Sequence, residues 1–228
     1  MSVRALEVLP DAEAVARRGA ELVTFVAIEA IQAWDRFTFA VSGGRTPWAM
    51  FRALAASDLR WERIGMWQVD ERVAPDGDHS RNLTSLARTI PPAAELHPMP
   101  VTDHDLDVAA QRYAAILPET FDLVHLGMGD DGHTASLVPG DPVLEVTDRD
   151  VALTGEYRGR RRMTLTYPVL DRARRVVWLI TGGDKAPMVP RLLAGDRSIP
   201  AGRVSAADQR VICDAASAAE VPSPDALS

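Results

Sequence analysis

The chain has one cysteine and one lysine in 228 residues. A lone Cys213 excludes an internal disulfide and any cysteine-clustered metal site. No apolar run approaches the roughly 20 residues that cross a bilayer. The opening Met1-Ser-Val-Arg-Ala-Leu-Glu7 lacks the apolar core and cleavage site of a secretory leader. A cytoplasmic protein with no membrane contact is expected. A basic excess is also missing. The 25 Lys and Arg face 32 Asp and Glu, a net charge of −7, which argues against a general nucleic-acid surface. An anionic small substrate remains compatible, because a few local cations can dominate one cleft.

The shortage of lysine sharpens that point. Of the 25 basic residues, 24 are arginine. The single ammonium is Lys185, in Thr181-Gly-Gly-Asp-Lys185. A surface lysine could fall there by chance. Its place after an apolar strand and two glycines favours a ligand, and a compact point charge suits a phosphate.

Hydrophobic residues make up 46% of the chain, enough for a substantial core. Asp11 can cap a helix running to Trp34, with Val15, Gly19, Leu22, Val26 and Ala30 on one stripe. Arg36–Val41, Ile64–Val69, Phe121–Leu126 and Arg175–Thr181 read as strands. Short strands are expected at Val151–Tyr157, Met163–Thr166 and Val211–Cys213. Helices are expected at Trp48–Ala56 with Pro47 at the first position, Ser80–Thr89, Asp105–Leu117, and Asp184–Leu193 weakened by two prolines. Pro91–Val101, with four prolines, reads as loop. Strands alternate with helices, which implies an α/β fold with a mostly parallel sheet flanked by helices, Rossmann-like. One domain over 1–228 is expected, with a frayed tail from about Ala215.

Three turns carry candidate chemistry. Leu126-Gly-Met-Gly-Asp-Asp-Gly-His-Thr-Ala-Ser-Leu-Val-Pro-Gly140 follows a buried strand. Its glycines allow tight turning and close approach of a ligand, and it holds Asp130, Asp131 and His133. Thr134 or a neighbour could open a helix. Strand-to-turn junctions of this kind are where open α/β sheets place functional groups. Ser42-Gly-Gly-Arg-Thr-Pro47 sits between a strand and a helix and can cradle an anion through backbone N–H groups and two hydroxyls. Asp70-Glu-Arg72 ends another strand, with Asn82 downstream. Each turn taken alone also reads as an ordinary capped turn or a surface ion pair.

In this order the blocks resemble the 6-phosphogluconolactonases, within the group that includes glucosamine-6-phosphate isomerases. The matching blocks are Ser42–Pro47, Asp70–Arg72 with Asn82, Leu126–Gly140, and Arg162-Met-Thr-Leu-Thr166 followed by Gly-Gly-Asp-Lys185. The resemblance implies hydrolysis of 6-phospho-D-glucono-1,5-lactone to 6-phosphogluconate in the oxidative pentose phosphate pathway, with no metal and no organic cofactor. It implies that Ser42, Gly43, Gly44, Thr46, Arg162 and Lys185 hold the phosphate. Asp70, Asn82 and Gly129 are expected to line the substrate site. His133 is the expected base, with Asp131 and Arg72 beside it. Arg162 is chosen over Arg160 and Arg161 by motif match alone.

An imidazole, ordinarily near pKa ~6.5, can take a proton from water at neutral pH. Two other readings stand. A glucosamine-6-phosphate isomerase would need an acid where this chain has Val138, although Asp70 matches that enzyme's base. A sugar-phosphate-binding module would need only the cradle. Arg45 and Val138 depart from the usual lactonase pattern. His125 is expected to pack or line the cleft, and His79, His97 and His104 to lie solvated in loops. The expected partner is a small phosphosugar lactone bound by a monomer.

Overall fold

The computed structural model describes residues 3–222. Among the described residues, ten strands and seven α-helices follow one another: β1 (Val3–Leu9), α1 (Ala12–Trp34), β2 (Phe37–Val41), α2 (Arg45–Ala55), β3 (Ile64–Gln68), β4 (Asp70–Arg72), α3 (Asn82–Thr89), β5 (Glu95–His97), α4 (Leu106–Ala115), β6 (Leu123–Leu126), β7 (Val151–Leu153), β8 (Arg162–Leu165), α5 (Tyr167–Asp171), β9 (Val176–Ile180), α6 (Val189–Leu193), α7 (Pro200–Arg203) and β10 (Asp208–Asp214). Seven strands form one sheet in the order β1-β10-β9-β6-β2-β3-β5, and every neighbouring pair is parallel. Strands β4, β8 and β7 form a small antiparallel sheet beside it. The α/β reading with a mostly parallel sheet holds.

The alternation of side chains sends the two faces of the main sheet into different cores. Phe37, Phe39, Val41, Val177 and Leu179 pack with Val15, Leu22, Val26, Met50 and Phe51. These last five belong to α1 and α2, so the two helices cover that face. Gly19 is needed in α1 because a Cβ there would lie 2.8 Å from Leu179 Cδ1. Val124, Leu126, Val176, Trp178 and Ile180 face the other way and pack with Tyr113, Met163 and Leu165.

The strand order decides where a ligand can bind. From β2 the chain moves outward through β3 to β5. It then returns to the other side of β2 for β6, β9 and β10. Connections leaving β2 and β6 therefore diverge, and a crevice opens at the carboxyl ends of those strands.

Several elements differ from expectation. β1 and β5 were not foreseen. β1 is an edge strand held by β10, and β5 is three residues pairing with β3 inside the proline-rich stretch. Asp70–Arg72 leaves the main sheet to pair antiparallel with β8. No helix opens at Thr134. Ala135 has φ 52° and Gly140 φ 78°, and left-handed residues break a helix. Helix α2 begins at Arg45, so Pro47 sits third; a proline is tolerated throughout the first turn, where N–H groups have no helical partner. The helix expected over Asp184–Leu193 splits into a 3₁₀ turn at Gly183–Lys185 and the short α6, with Pro187 between them and Pro190 in the first turn of α6. The tail expected to fray from Ala215 is packed as far as it is described. Ser217 is buried, and its hydroxyl donates to Ile180 O at 3.1 Å. Residues 223–228 lie outside the described residues. Among the described residues no helix is long and apolar enough to cross a membrane.

Candidate active site

A cleft of about 890 Å³ opens at the carboxyl ends of β2, β6 and β9. Ser42, Gly43, Gly44, Thr46, Asp70, Arg72, Asn82, Gly129, His133, Arg162 and Lys185 all line it. Asp131 stands behind His133. The three turns singled out in the sequence, Ser42–Pro47, Asp70–Arg72 and Leu126–Gly140, converge because each follows a strand meeting at the crevice.

The first wall is the turn from β2 into α2. Gly44, with φ 134°, caps α2, and the first-turn N–H groups at Arg45 and Thr46 have no intrahelical acceptor. Such an N-terminus favours an anion. Ser42 Oγ is buried without a hydrogen-bond partner among the described residues. Thr46 Oγ1 lies 2.6 Å from Thr181 Oγ1, which ties this turn to the one after β9. There Lys185 Nζ lies 2.8 Å from Asp184 Oδ2. Beneath the turn, His125 Nδ1 accepts the Ser42 N–H at 3.4 Å. His125 is fully buried, and burial lowers its pKa to about 3. It is a neutral packing group.

The second wall comes from the small sheet and α3. The Glu71 carboxylate is fully buried and accepts from Gln68 Nε2, Arg72 N, Asn82 N and Leu83 N, each at 2.8 Å. It thereby caps α3 from outside the helix. This fixes Asn82, whose Nδ2 donates to Asp70 O at 3.0 Å and whose Oδ1 accepts from Arg72 Nη1. A Cβ on Gly43 would lie 1.9 Å from Asn82 Oδ1. Asn82 and the guanidinium of Arg72 thus stand directly against the Ser42–Thr46 turn.

The third wall is the glycine turn after β6. Asp131 Oδ1 accepts the His133 backbone N–H at 3.0 Å and lies 2.6 Å from His133 Nδ1. Burial alone would raise the Asp131 pKa. Hydrogen bonds from the His133 backbone and ring and from Tyr157 outweigh it and hold the carboxyl at about 2. A Cβ on Gly129 would lie 2.0 Å from His133 Nδ1 and 2.6 Å from Asp131 Oδ1, so only glycine admits this pair. Asp130 points elsewhere and pairs with Arg158 at 3.1 Å.

Of the arginine run, Arg162 is the one turned inward. It is buried, with Nη1 3.4 Å from Ser136 Oγ and 4.0 Å from Asp70 Oδ2, and its Nε has no partner among the described residues. Burial lowers its pKa, with Asp70 opposing the shift. Arg160 instead pairs with Asp78 at 3.1 Å.

Three contributors were not legible in the sequence. Ser136 donates to Asp70 Oδ2 at 2.6 Å. Thr181 couples two turns. Tyr157 donates to Asp131 Oδ2 at 2.9 Å and lies beside the His133 ring. Tyr157 sits in the tip joining β7 to β8, and no spacing relates it to His133. The expected solvated loop position of His97 also changes: its ring stacks on Trp67 at 4.1 Å. Among the described residues no group of His, Cys, Asp and Glu is arranged to hold a metal ion.

Residues 10–213 match the model of a family described as glucosamine-6-phosphate isomerases/6-phosphogluconolactonase. The 6-phosphogluconolactonase of Nostoc sp. is 37% identical over 206 residues, covering 84% of this chain and 85% of its own. That of Mycobacterium tuberculosis is 33% identical over 244 aligned positions, covering 96% and 98%. The crystal structure of 6-phosphogluconolactonase from Thermotoga maritima superposes with a TM-score of 0.83 at 25% identity, over 92% of this chain and 99% of that one. A family match over most of the length, relatives above 30% identity and a shared fold agree: the chain belongs to the glucosamine-6-phosphate isomerase/6-phosphogluconolactonase family.

Proposed function

We propose that this protein hydrolyses 6-phospho-D-glucono-1,5-lactone to 6-phospho-D-gluconate, a step of the oxidative pentose phosphate pathway, without a metal. One observation carries this reading. A histidine seated on a carboxylate, the His133–Asp131 pair, faces the same cleft as an anion cradle, Ser42–Thr46 with Lys185.

The phosphate lies at the α2 N-terminus, held by Ser42 Oγ, first-turn N–H groups, Thr46 and Lys185. Gly43 and Gly44 let it approach the backbone. The seat of Arg72 against Gly43 and Asn82 supports a phosphate contact for this residue too. Arg162 stands on the side of Tyr157 and His133, which supports a contact nearer the reacting carbonyl. This partition differs from the one the family resemblance implies, where Arg162 grips phosphate and Arg72 accompanies the base.

With the phosphate anchored, the lactone carbonyl is presented to His133 in one pose. Asp131 accepts Nδ1–H, which leaves Nε2 as the basic nitrogen. Nε2 takes a proton from water as its oxygen bonds to C1. Negative charge on the carbonyl oxygen is met by Arg162. The tetrahedral intermediate collapses with cleavage of the bond from C1 to the ring oxygen. Nε2–H returns the proton to that oxygen, leaving an open-chain acid. A lactone is an activated ester, so water with one general base suffices.

The isomerase reading is weaker. Val138 is a buried alkyl group where that chemistry needs an acid. Asp70, the other candidate base, is engaged by Ser136 at 2.6 Å and faces Arg162 at 4.0 Å.

The test forms the lactone in place from glucose 6-phosphate and follows its decay against spontaneous hydrolysis, with chelator present. Acceleration is expected, falling about 10²–10⁴-fold in His133→Ala with phosphate affinity retained. No acceleration, or a His133→Ala variant as fast as wild type, would overturn the reading; glucosamine 6-phosphate turnover is then the next measurement.

A further inference from the structure

We infer that Tyr157 is a positioning residue that sets both the orientation and the basicity of the Asp131–His133 pair and seats Arg162 beside it. This rests on the hydrolase reading above and adds a residue to it. The geometry is specific. The Tyr157 hydroxyl donates to Asp131 Oδ2 at 2.9 Å, while Oδ1 of the same carboxylate serves His133. The hydroxyl is also 3.4 Å from His133 Nδ1, and the two rings meet edge to face at 5.4 Å between centroids. Both carboxylate oxygens are thus occupied, and Asp131 cannot rotate without losing two partners.

The Tyr157 ring is used as well. Arg162 lies 5.0 Å and Arg158 5.1 Å from its centroid. A guanidinium over an aromatic face is attracted to it, so the ring gives the buried Arg162 a platform, while its Nε has no hydrogen-bond partner among the described residues. The tip that delivers the ring is tightly turned: Tyr157 pairs with Arg160 across it, and Arg158 and Gly159 have φ 51° and 77°. Burial and the neighbouring Asp131 push the hydroxyl's pKa up, so it remains a donor into alkaline solution.

The charges facing this group come from three sides. Arg158 is paired with Asp130 at 3.1 Å. Arg162 faces Asp70 at 4.0 Å. Arg72 lies beyond Arg162 and is bonded to Asn82. None of these pairs uses the Tyr157 hydroxyl. Loss of that donor leaves Asp131 a stronger acceptor toward Nδ1–H, which favours the protonated imidazole.

The experiment compares wild type with Tyr157→Phe and Tyr157→Leu by two readouts. One is the NMR titration of the His133 imidazole, which needs no turnover. The other is the pH profile of lactone hydrolysis. In Tyr157→Phe the His133 titration midpoint and the acid limb of kcat/KM should both move up by about half a pH unit. Its kcat should fall about 3- to 10-fold with KM little changed. Tyr157→Leu, which also removes the ring under Arg162, should lose a further ~3- to 10-fold in kcat. Tyr157→Phe with an unmoved midpoint and an unmoved profile would overturn the inference. A midpoint that moves in Tyr157→Phe, with a wild-type protein that hydrolyses no lactone, would instead overturn the proposed function and leave the positioning role intact.

Discussion

Two glycines carry the site because of what stands where their side chains would be. At Gly129 a methyl group would occupy the space of His133 Nδ1 and Asp131 Oδ1, at 2.0 and 2.6 Å. Gly129→Ala should therefore separate the pair. The expected result is a fall of about 10²-fold in kcat with KM nearly unchanged, read from steady-state lactone hydrolysis, because misplacement of a base by about 1 Å is costly while the phosphate grip is remote. At Gly43 the clash is with Asn82, at 1.9 Å. Gly43→Ala should push Asn82 off Arg72 and disturb the anion cradle. Here KM should rise about tenfold or more while the His133–Asp131 pair stays intact. A variant whose kcat alone falls would contradict this division of the cleft.

Helix α3 shows how an element can be set from outside itself. Its N-cap residue Arg81 makes no side-chain cap hydrogen bond, and Glu71 from β4 supplies the acceptors. Arg81 Nε lies 3.7 Å from the same buried carboxylate. Glu71→Ala would strand several buried donors and a buried guanidinium. A stability loss of about 3 kcal/mol or more is expected in urea unfolding, together with weaker substrate binding through Asn82 and Arg72. A variant unfolding at the wild-type urea concentration would show that water replaces the carboxylate at no cost.

At the scale of the whole molecule, the sheet carries a pH dependence of its own. His125 lies in β6, at the strand-order reversal, and burial holds its folded pKa at about 3 against an ordinary 6.5. Between those values the unfolded chain binds a proton that the folded chain excludes. Stability therefore rises with pH across that window, by up to about 1.4 kcal/mol per pH unit, and is fully present above 6.5. Burial also lowers the pKa of His97, which acts in the same direction. His125→Gln should reduce the difference in unfolding free energy between pH 5.0 and 7.5 by about 2 kcal/mol. An unchanged difference would mean that His125 is reached by solvent. Asp131, held at about 2, has the opposite charge but the same sense: its contribution is full above its ordinary value and disappears as pH falls toward 2.

Much of this was readable from the sequence where the signal was local. Asp11 caps α1 as its side chain allows, accepting Ala14 N–H at 2.8 Å, and the stripe from Val15 to Ala30 is the buried face. The strand–glycine turns announced themselves by apolar runs followed by Gly with Asp, His or Ser, because backbone approach to a ligand needs glycine and the chemistry needs those groups. The edge strands β1 and β5 were not readable, since a strand paired on one side needs little apolar pattern. The break at Ala135 was not readable either, because alanine rarely adopts a positive φ and does so here under the tertiary tie of Thr134 Oγ1 to Gly127 O at 2.9 Å. Residue types and turn chemistry thus came from the sequence alone. The tertiary structure decided which arginine turns inward, that Asn82 seats Arg72 against Gly43, and that Tyr157 reaches Asp131 from a remote hairpin, because each depends on through-space contacts between segments whose separation along the chain has no period.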